Sequence, residues 1–170
     1  MQARSMDWMA SNRLKLNEDK TQVIWLGTRH QLSKLRENTL ALPNATVQFS
    51  TVVNDLGVQI DNQLSMSNHI AKLSRSCFFH LRQLRLIRQS LTPEAMNTLV
   101  QSFITSRLDS CNSVLIGVNS QLLQRMQVIQ NAAARFITGA RRFEHMTPVL
   151  RDLHWLPVRQ RIKFKTAVLV

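Results

Sequence analysis

Over roughly the first third of the chain the apolar residues sit in short runs or alternate, and from Asp61 onward they fall at helical spacing. Trp8 to Leu16 reads as the end of a helix, with Asp7 a first-turn acid and Asn17 starting a turn. Gln22 to Leu26 is short, apolar and rich in strand formers, and Gly27 ends it. The polar stretch Thr28 to Asn38 reads as an exposed loop or excursion. Thr46 to Ser50 alternates Val47 and Phe49 inward, and Val52 to Ile60 makes a further strand with Gly57 as a bulge or a point of close backbone approach.

Beyond Asp61 the period changes from two to 3.6. Between Ser67 and Gln89, Ile70, Leu73, Cys77, Leu81 and Leu84 recur at spacings of three and four, which predicts a helix with one buried face. Thr92, Pro93 and Glu94 make a helix start, as N-cap, first helical residue and first-turn acid. The stripe Met96, Leu99, Val100, Phe103 and Ile104 runs on through Leu108 and Cys111 toward Gly117. Ser120 is placed to cap the next helix, whose stripe is Leu123, Met126, Ile129, Ala133, Phe136 and Ile137, with Gly139 as its stop. A shorter helix is expected over Thr147 to Leu153, and Pro157 can open a last one. That last helix reaches Val170 without a cap, which suggests a polypeptide cut within a larger design. The pattern predicts an α+β chain: a small β-rich piece over 1–61, then a mainly α-helical bundle over 62–170.

Charge follows the same division. Residues 1–61 carry seven basic and six acidic side chains, a net +1, and residues 62–170 carry fifteen and four, a net +11. A segregated excess of that size suggests a polyanion partner for the helical part, although a solvated basic face would have the same composition. Arg75 and Arg82 fall opposite the apolar stripe of the first long helix, flanked by Lys72 and Arg85, in a ridge that could follow a phosphate backbone. Arg141, Arg142, Arg159, Arg161 and Lys163 are the other candidates for backbone contacts.

With 44% hydrophobic residues, four glycines and four prolines, the chain reads as folded. Cys77 and Cys111 fit no metal or CxxC spacing and are read as reduced. No apolar signal core and no run of membrane-spanning length is present, so the expected location is intracellular, nucleus or cytoplasm, with no membrane partner. The sequence contains no nucleophile–base pair, phosphate-binding glycine pattern or metal-spaced His/Cys cluster, so no metal site is assigned. Asp55 and Asp61 bracket an apolar run and read as strand-end and turn residues. Trp8, Trp25 and Trp155 read as core side chains.

Five blocks occur in a recognisable order: Trp8 to Asn17 with Asp19-Lys20-Thr21, Asp55-Leu56-Gly57-Val58-Gln59-Ile60-Asp61, Ser106 to Ser113, Gln127 to Thr138, and Leu153-His154-Trp155-Leu156-Pro157-Val158 with Arg161-Ile162. Together they resemble the C-terminal part, the end of the palm plus the thumb, of the reverse transcriptase of non-LTR (LINE-type) retrotransposons, closest to the chicken-repeat and jockey-like branches. The resemblance implies a palm remnant over 1–61 and a thumb-like region over 62–170. It places Lys20 as a general acid toward the leaving pyrophosphate, and Leu56, Gly57 and Val58 as a primer-grip-like hairpin. It also implies RNA or an RNA–DNA hybrid as ligand and Mg2+ as the cofactor of the complete parent enzyme. The metal-holding aspartates of that family do not occur in this chain, so no cofactor is expected here and the chain alone is expected not to polymerise. Two other expectations stand beside this one: a repurposed helical module that binds the missing palm and fingers or another protein, or a decayed element product without selected function.

Overall fold

In the computed structural model, residues 8–15, 17, 20–36, 38–41 and 46–169 are described. The chain divides into two compact units, Met1–Leu64 and Ser65–Val170, with the division three residues beyond the change of period at Asp61. The fold class is α+β, with two small antiparallel sheets preceding a helical bundle.

In the first unit residues 8–11 are helical; Asp7 and Leu16 lie outside the described residues. The expected strand at Gln22 to Leu26 is reduced to a single parallel bridge between Val23 and Phe49. The polar stretch after Gly27 is not all loop. It contains a short helix α1 (Arg29–Leu32) closed by a capping box, in which the Gln31 N–H donates to Thr28 Oγ1 at 3.3 Å and the Thr28 N–H donates to Gln31 Oε1 at 2.9 Å. Strands β1 (Thr39–Ala41) and β2 (Thr46–Gln48) pair antiparallel.

The single strand expected over Val52 to Ile60 is a hairpin. Strand β3 (Val52–Asp55) pairs with β4 (Val58–Asp61), in register Val52 to Asp61 and Asp55 to Val58. Leu56 and Gly57 form the turn with φ of 45° and 89°. Positive φ at both central residues is what a two-residue type I′ hairpin turn requires, and it matches the twist of the flanking strands. Gly57 is therefore a turn residue rather than a bulge.

In the second unit, helix α2 (Ser67–Ile87) buries Ile70, Leu73, Cys77, Leu81 and Leu84, the expected stripe. Removal of each such aliphatic side chain from water contributes about 1.5–3 kcal/mol, which holds α2 against its neighbours. Thr92 caps α3 (Pro93–Val100) by accepting from the Ala95 N–H at 3.3 Å, and Pro93 is the first helical residue. The helix does not then run on as an α-helix. Gln101–Thr105 is a π-helical turn, with the Ser106 N–H donating to the Gln101 carbonyl, followed by α4 (Ser106–Asp109).

The buried side chains explain that turn. Met96, Val100, Ile104 and Leu108 recur at a strict spacing of four. On an α-helix of 3.6 residues per turn such a row drifts by about 40° per step. The wider π turn keeps it on one side, and moves Phe103 out of the core to 37% exposure. Hydroxyls of Thr98, Ser102 and Ser106 each donate to the carbonyl four residues earlier, a pattern that bends helices.

After a left-handed Cys111, a 3-10 turn Asn112–Leu115 leads to α5 (Ser120–Thr138). Its N-cap is Asn119, whose side chain accepts from the Gln121 N–H at 2.8 Å, rather than Ser120. Gly139 ends it in the left-handed conformation, φ 76°, and its N–H donates to the Arg135 carbonyl. Helices α6 (Met146–Asp152) and α7 (Val158–Leu169) complete the unit. Helix α5 is central: α2, α3, α6 and α7 all pack on it, burying Met126, Ile129, Ala133, Ala134 and Phe136. Trp8 and Trp25 are exposed, and Trp25 lies beside Phe49 with ring centroids 5.2 Å apart, so these two tryptophans are not core side chains.

Candidate nucleic-acid interface

The basic ridge of α2 forms as its periodicity requires. Taking 100° per residue, Lys72, Arg75 and Arg82 lie on the side away from the buried stripe, all exposed, and Arg85 lies to one flank. Arg75 and Arg82 are two turns apart, about 10.5 Å along the axis, a rise that matches about three nucleotides of one strand at 3.4 Å each. Burial, then the charge of Lys72, holds the His69 imidazole below its ordinary value, which disfavours its charged form.

Arg141 and Arg142 occupy the loop after Gly139 and are exposed. Arg135 shapes that loop. Its Nε donates to the Arg141 carbonyl at 3.3 Å and its Nη2 to the carbonyls of Arg142 and Glu144, while the Arg141 N–H donates to Glu144 Oε1 at 2.9 Å. Arg159 and Lys163, one turn apart on α7, line a cavity of about 210 Å3 together with Leu115, Ile116, Leu123 and Ile162.

Arg161, one of the residues expected to contact a phosphate backbone, is engaged within the fold. Its Nε and Nη2 grip both oxygens of Asp109, with Nη2 to Oδ2 at 2.7 Å, and Lys165 Nζ lies 3.0 Å from the same oxygen. Burial pushes the Asp109 carboxyl up, but the hydrogen bonds and charges of Arg161 and Lys165 outweigh it and hold the group below its ordinary value. A guanidinium already gripping a half-buried carboxylate in this bidentate way has a partner it would have to give up.

Two other motif polar groups are spent the same way. Gln127 donates to Gln130 Oε1 at 2.9 Å and to Asn131 Oδ1 at 2.8 Å, and accepts from the Val158 N–H at 2.9 Å. The buried Gln130 donates to the Leu156 carbonyl at 2.9 Å. The blocks at Ser106 to Ser113, Gln127 to Thr138 and Leu153 to Ile162 thus meet through side chains that join α4, α5 and α7.

Lys20 is exposed, and its backbone N–H is held by Asn17. Leu56 and Gly57 are the tip of the β3–β4 hairpin, with Leu56 97% exposed and Val58 buried. Asp55 and Asp61 sit at opposite ends of that hairpin, about 10 Å apart at 3.4 Å per residue. Among the described residues no group of three or more His, Cys, Asp or Glu could hold a metal ion. Asp55 and Asp61 are thus too far apart to share a pair of ions spaced about 3.5–4 Å.

Four further side chains belong to this region: the sequence places Phe103 in an apolar stripe and gives Phe79, His80 and Arg107 no role. Phe79 lies between Arg75 and Arg82, off the buried stripe and exposed, which its spacing already signalled. His80, Phe103 and Arg107 gave no such signal, because the π turn and the pairing of two helices bring them there. No protein-family model, curated protein or solved structure matches the chain. Among the described residues no helix is long and apolar enough to cross a membrane.

Proposed function

We propose that this chain is the end-of-palm and thumb part of a non-LTR reverse transcriptase and that it holds a template–primer duplex, RNA or RNA–DNA hybrid, through its phosphate backbone. The observation that carries the reading is the exposed row Lys72, Arg75 and Arg82 on the face of α2 opposite its buried stripe. In support, residues 65–170 carry fifteen basic and four acidic side chains, and the ion pairs described there are those of Asp109 with Arg161 and Lys165. Arg85, Arg141, Arg142, Arg159 and Lys163 add further exposed positive charge. Backbone contacts of this kind position a duplex without reading its sequence.

Fluorescence anisotropy with an RNA–DNA hybrid at two salt concentrations tests the reading. Affinity should fall steeply as salt rises and differ little between unrelated sequences, and each of Arg75→Ala and Arg82→Ala should lower the salt slope by about 1. Absence of binding at low salt refutes it. The chain alone does not polymerise on this reading, and metal-dependent nucleotide incorporation by the purified protein would overturn that part.

Exposed Leu86, Phe143, Phe164 and Val168 favour a second reading, a helical module that docks another polypeptide. A clean monomer in size-exclusion chromatography would count against self-association through these groups.

A further inference from the structure

The antiparallel α2 and α3–α4 segments meet in two consecutive rungs one turn apart. In one, Arg107 Nη1 donates to Ser76 Oγ at 3.1 Å. In the other, the His80 and Phe103 rings stack, with centroids 5.0 Å apart and planes 24° from parallel. Phe79 continues the array, its ring set edge-on to His80 at 5.6 Å and 74°. Phe79 is 56% exposed and Phe103 37%, so both outer rings keep a solvent-facing side.

We propose that these three rings are a stacking platform for an unpaired nucleobase, placed to receive the single-stranded stretch that continues from a duplex held along the ridge of α2. This rests on the nucleic-acid reading above and adds to it the kind of strand that this face takes. Arg75 and Arg82 lie four residues before and three after Phe79, which places both as direct neighbours of its ring on the helix surface. Cations beside an aromatic face suit a ligand that alternates phosphate with flat, π-bearing groups. An apolar peptide would find the ring but not a use for the two guanidiniums. In an intact duplex both faces of each internal base are already stacked, so a protein ring gains contact only at a strand end or an unpaired segment. The π turn supports the assignment, because it turns an aromatic side chain outward where an unbroken α-helix would have kept Phe103 on the apolar side.

The experiment compares a single-stranded oligonucleotide carrying 2-aminopurine with a blunt duplex of the same sequence, using the full chain. The wild type should quench the 2-aminopurine fluorescence on binding. Phe79→Ala should weaken single-strand binding by about 5- to 140-fold, the range for one lost base–aromatic stack, and leave duplex affinity unchanged. Phe79→Tyr, which keeps the ring, should retain wild-type single-strand affinity and the quench. Arg75→Ala should weaken both ligands. Unchanged single-strand affinity in Phe79→Ala, with duplex binding intact in the wild type, overturns the platform and spares the duplex reading. Loss of all nucleic-acid binding by the wild type defeats both. Because Phe79 is exposed, its truncation leaves no core cavity, and an unshifted thermal unfolding curve confirms that the variant is folded.

Discussion

Replacing Asp109 by Asn keeps the shape of the side chain and removes the charge that holds Arg161 and Lys165 together. Asp109 is 14% exposed, Arg161 21% and Lys165 43%. Removing one partner of a fully buried pair costs about 3–5 kcal/mol, and an exposed pair is worth about 0–1 kcal/mol. With one cation half in solvent, the loss should be about 2 kcal/mol, which for a unit near 100 residues lowers Tm by about 10 °C. The pH dependence separates this charge effect from lost packing. The folded-state pKa of Asp109 lies below its unfolded value of about 3.9, so its contribution is fully present above that pH and is lost as pH falls through the lower, folded value. Urea denaturation of wild type and Asp109→Asn at pH 7 and again below pH 3 reads both quantities. The gap between the two proteins should be open at pH 7 and narrow in acid. Equal stability at pH 7, or a gap that persists unchanged in acid, refutes the role given to the carboxylate.

Gly139→Ala should cost about 1–2 kcal/mol by denaturation, because φ is 76° and the new methyl would sit 3.2 Å from the Arg88 guanidinium that bonds the Phe136 carbonyl. Leu56→Asn should stabilise the β3–β4 hairpin by up to about 1 kcal/mol, read as slower amide exchange in β3 and β4, since Asn-Gly suits a type I′ turn better than a 97% exposed leucine does. A thiol reagent should modify the exposed Cys111 in the native protein and reach Cys77 only on unfolding; burial, only partly opposed by Arg107, pushes the Cys77 thiol up to about 11. Arg161→Ala should destabilise about as much as Asp109→Asn while leaving the salt slope of nucleic-acid binding at its wild-type value, in contrast to Arg75→Ala.

What was legible in the amino-acid pattern depended on how local the cause was. The buried stripe of α2, the Thr92-Pro93 start and the Gly139 stop each follow from a few neighbouring residues, and all three are found where expected. The hairpin at Leu56 was read as one strand because a leucine stands where Asn or Asp would have announced the turn. The π turn was invisible for a related reason. An apolar row at spacings of three and four fits a plain α-helix, and only the buried set Met96, Val100, Ile104 and Leu108 shows that the spacing of four prevails. Of the site, the ridge of α2 could be read from periodicity, but Arg107 and Phe103 join it only through contacts with residues 31 and 23 positions away.

Counting charge therefore located the face of the molecule without sorting its members. Arg75 and Arg161 are equivalent in composition and both lie on helices, yet they stand on different energetic footings. An arginine whose fork is filled by a carboxylate 52 residues away would have to give up a half-buried ion pair to meet a phosphate, and the bundle would lose the tie between α4 and α7. Arg75 is exposed on the outer face of its helix and would lose only solvation and side-chain freedom. The same distinction separates Arg88 and Arg135, which hold the two sides of the Gly139 turn, from Arg141 and Arg142, which that turn presents. Part of the basic excess of this unit thus assembles the fold, and the exposed remainder, which includes the arginines beside Phe79 and those in the loop beyond Gly139, is what a polyanion could meet.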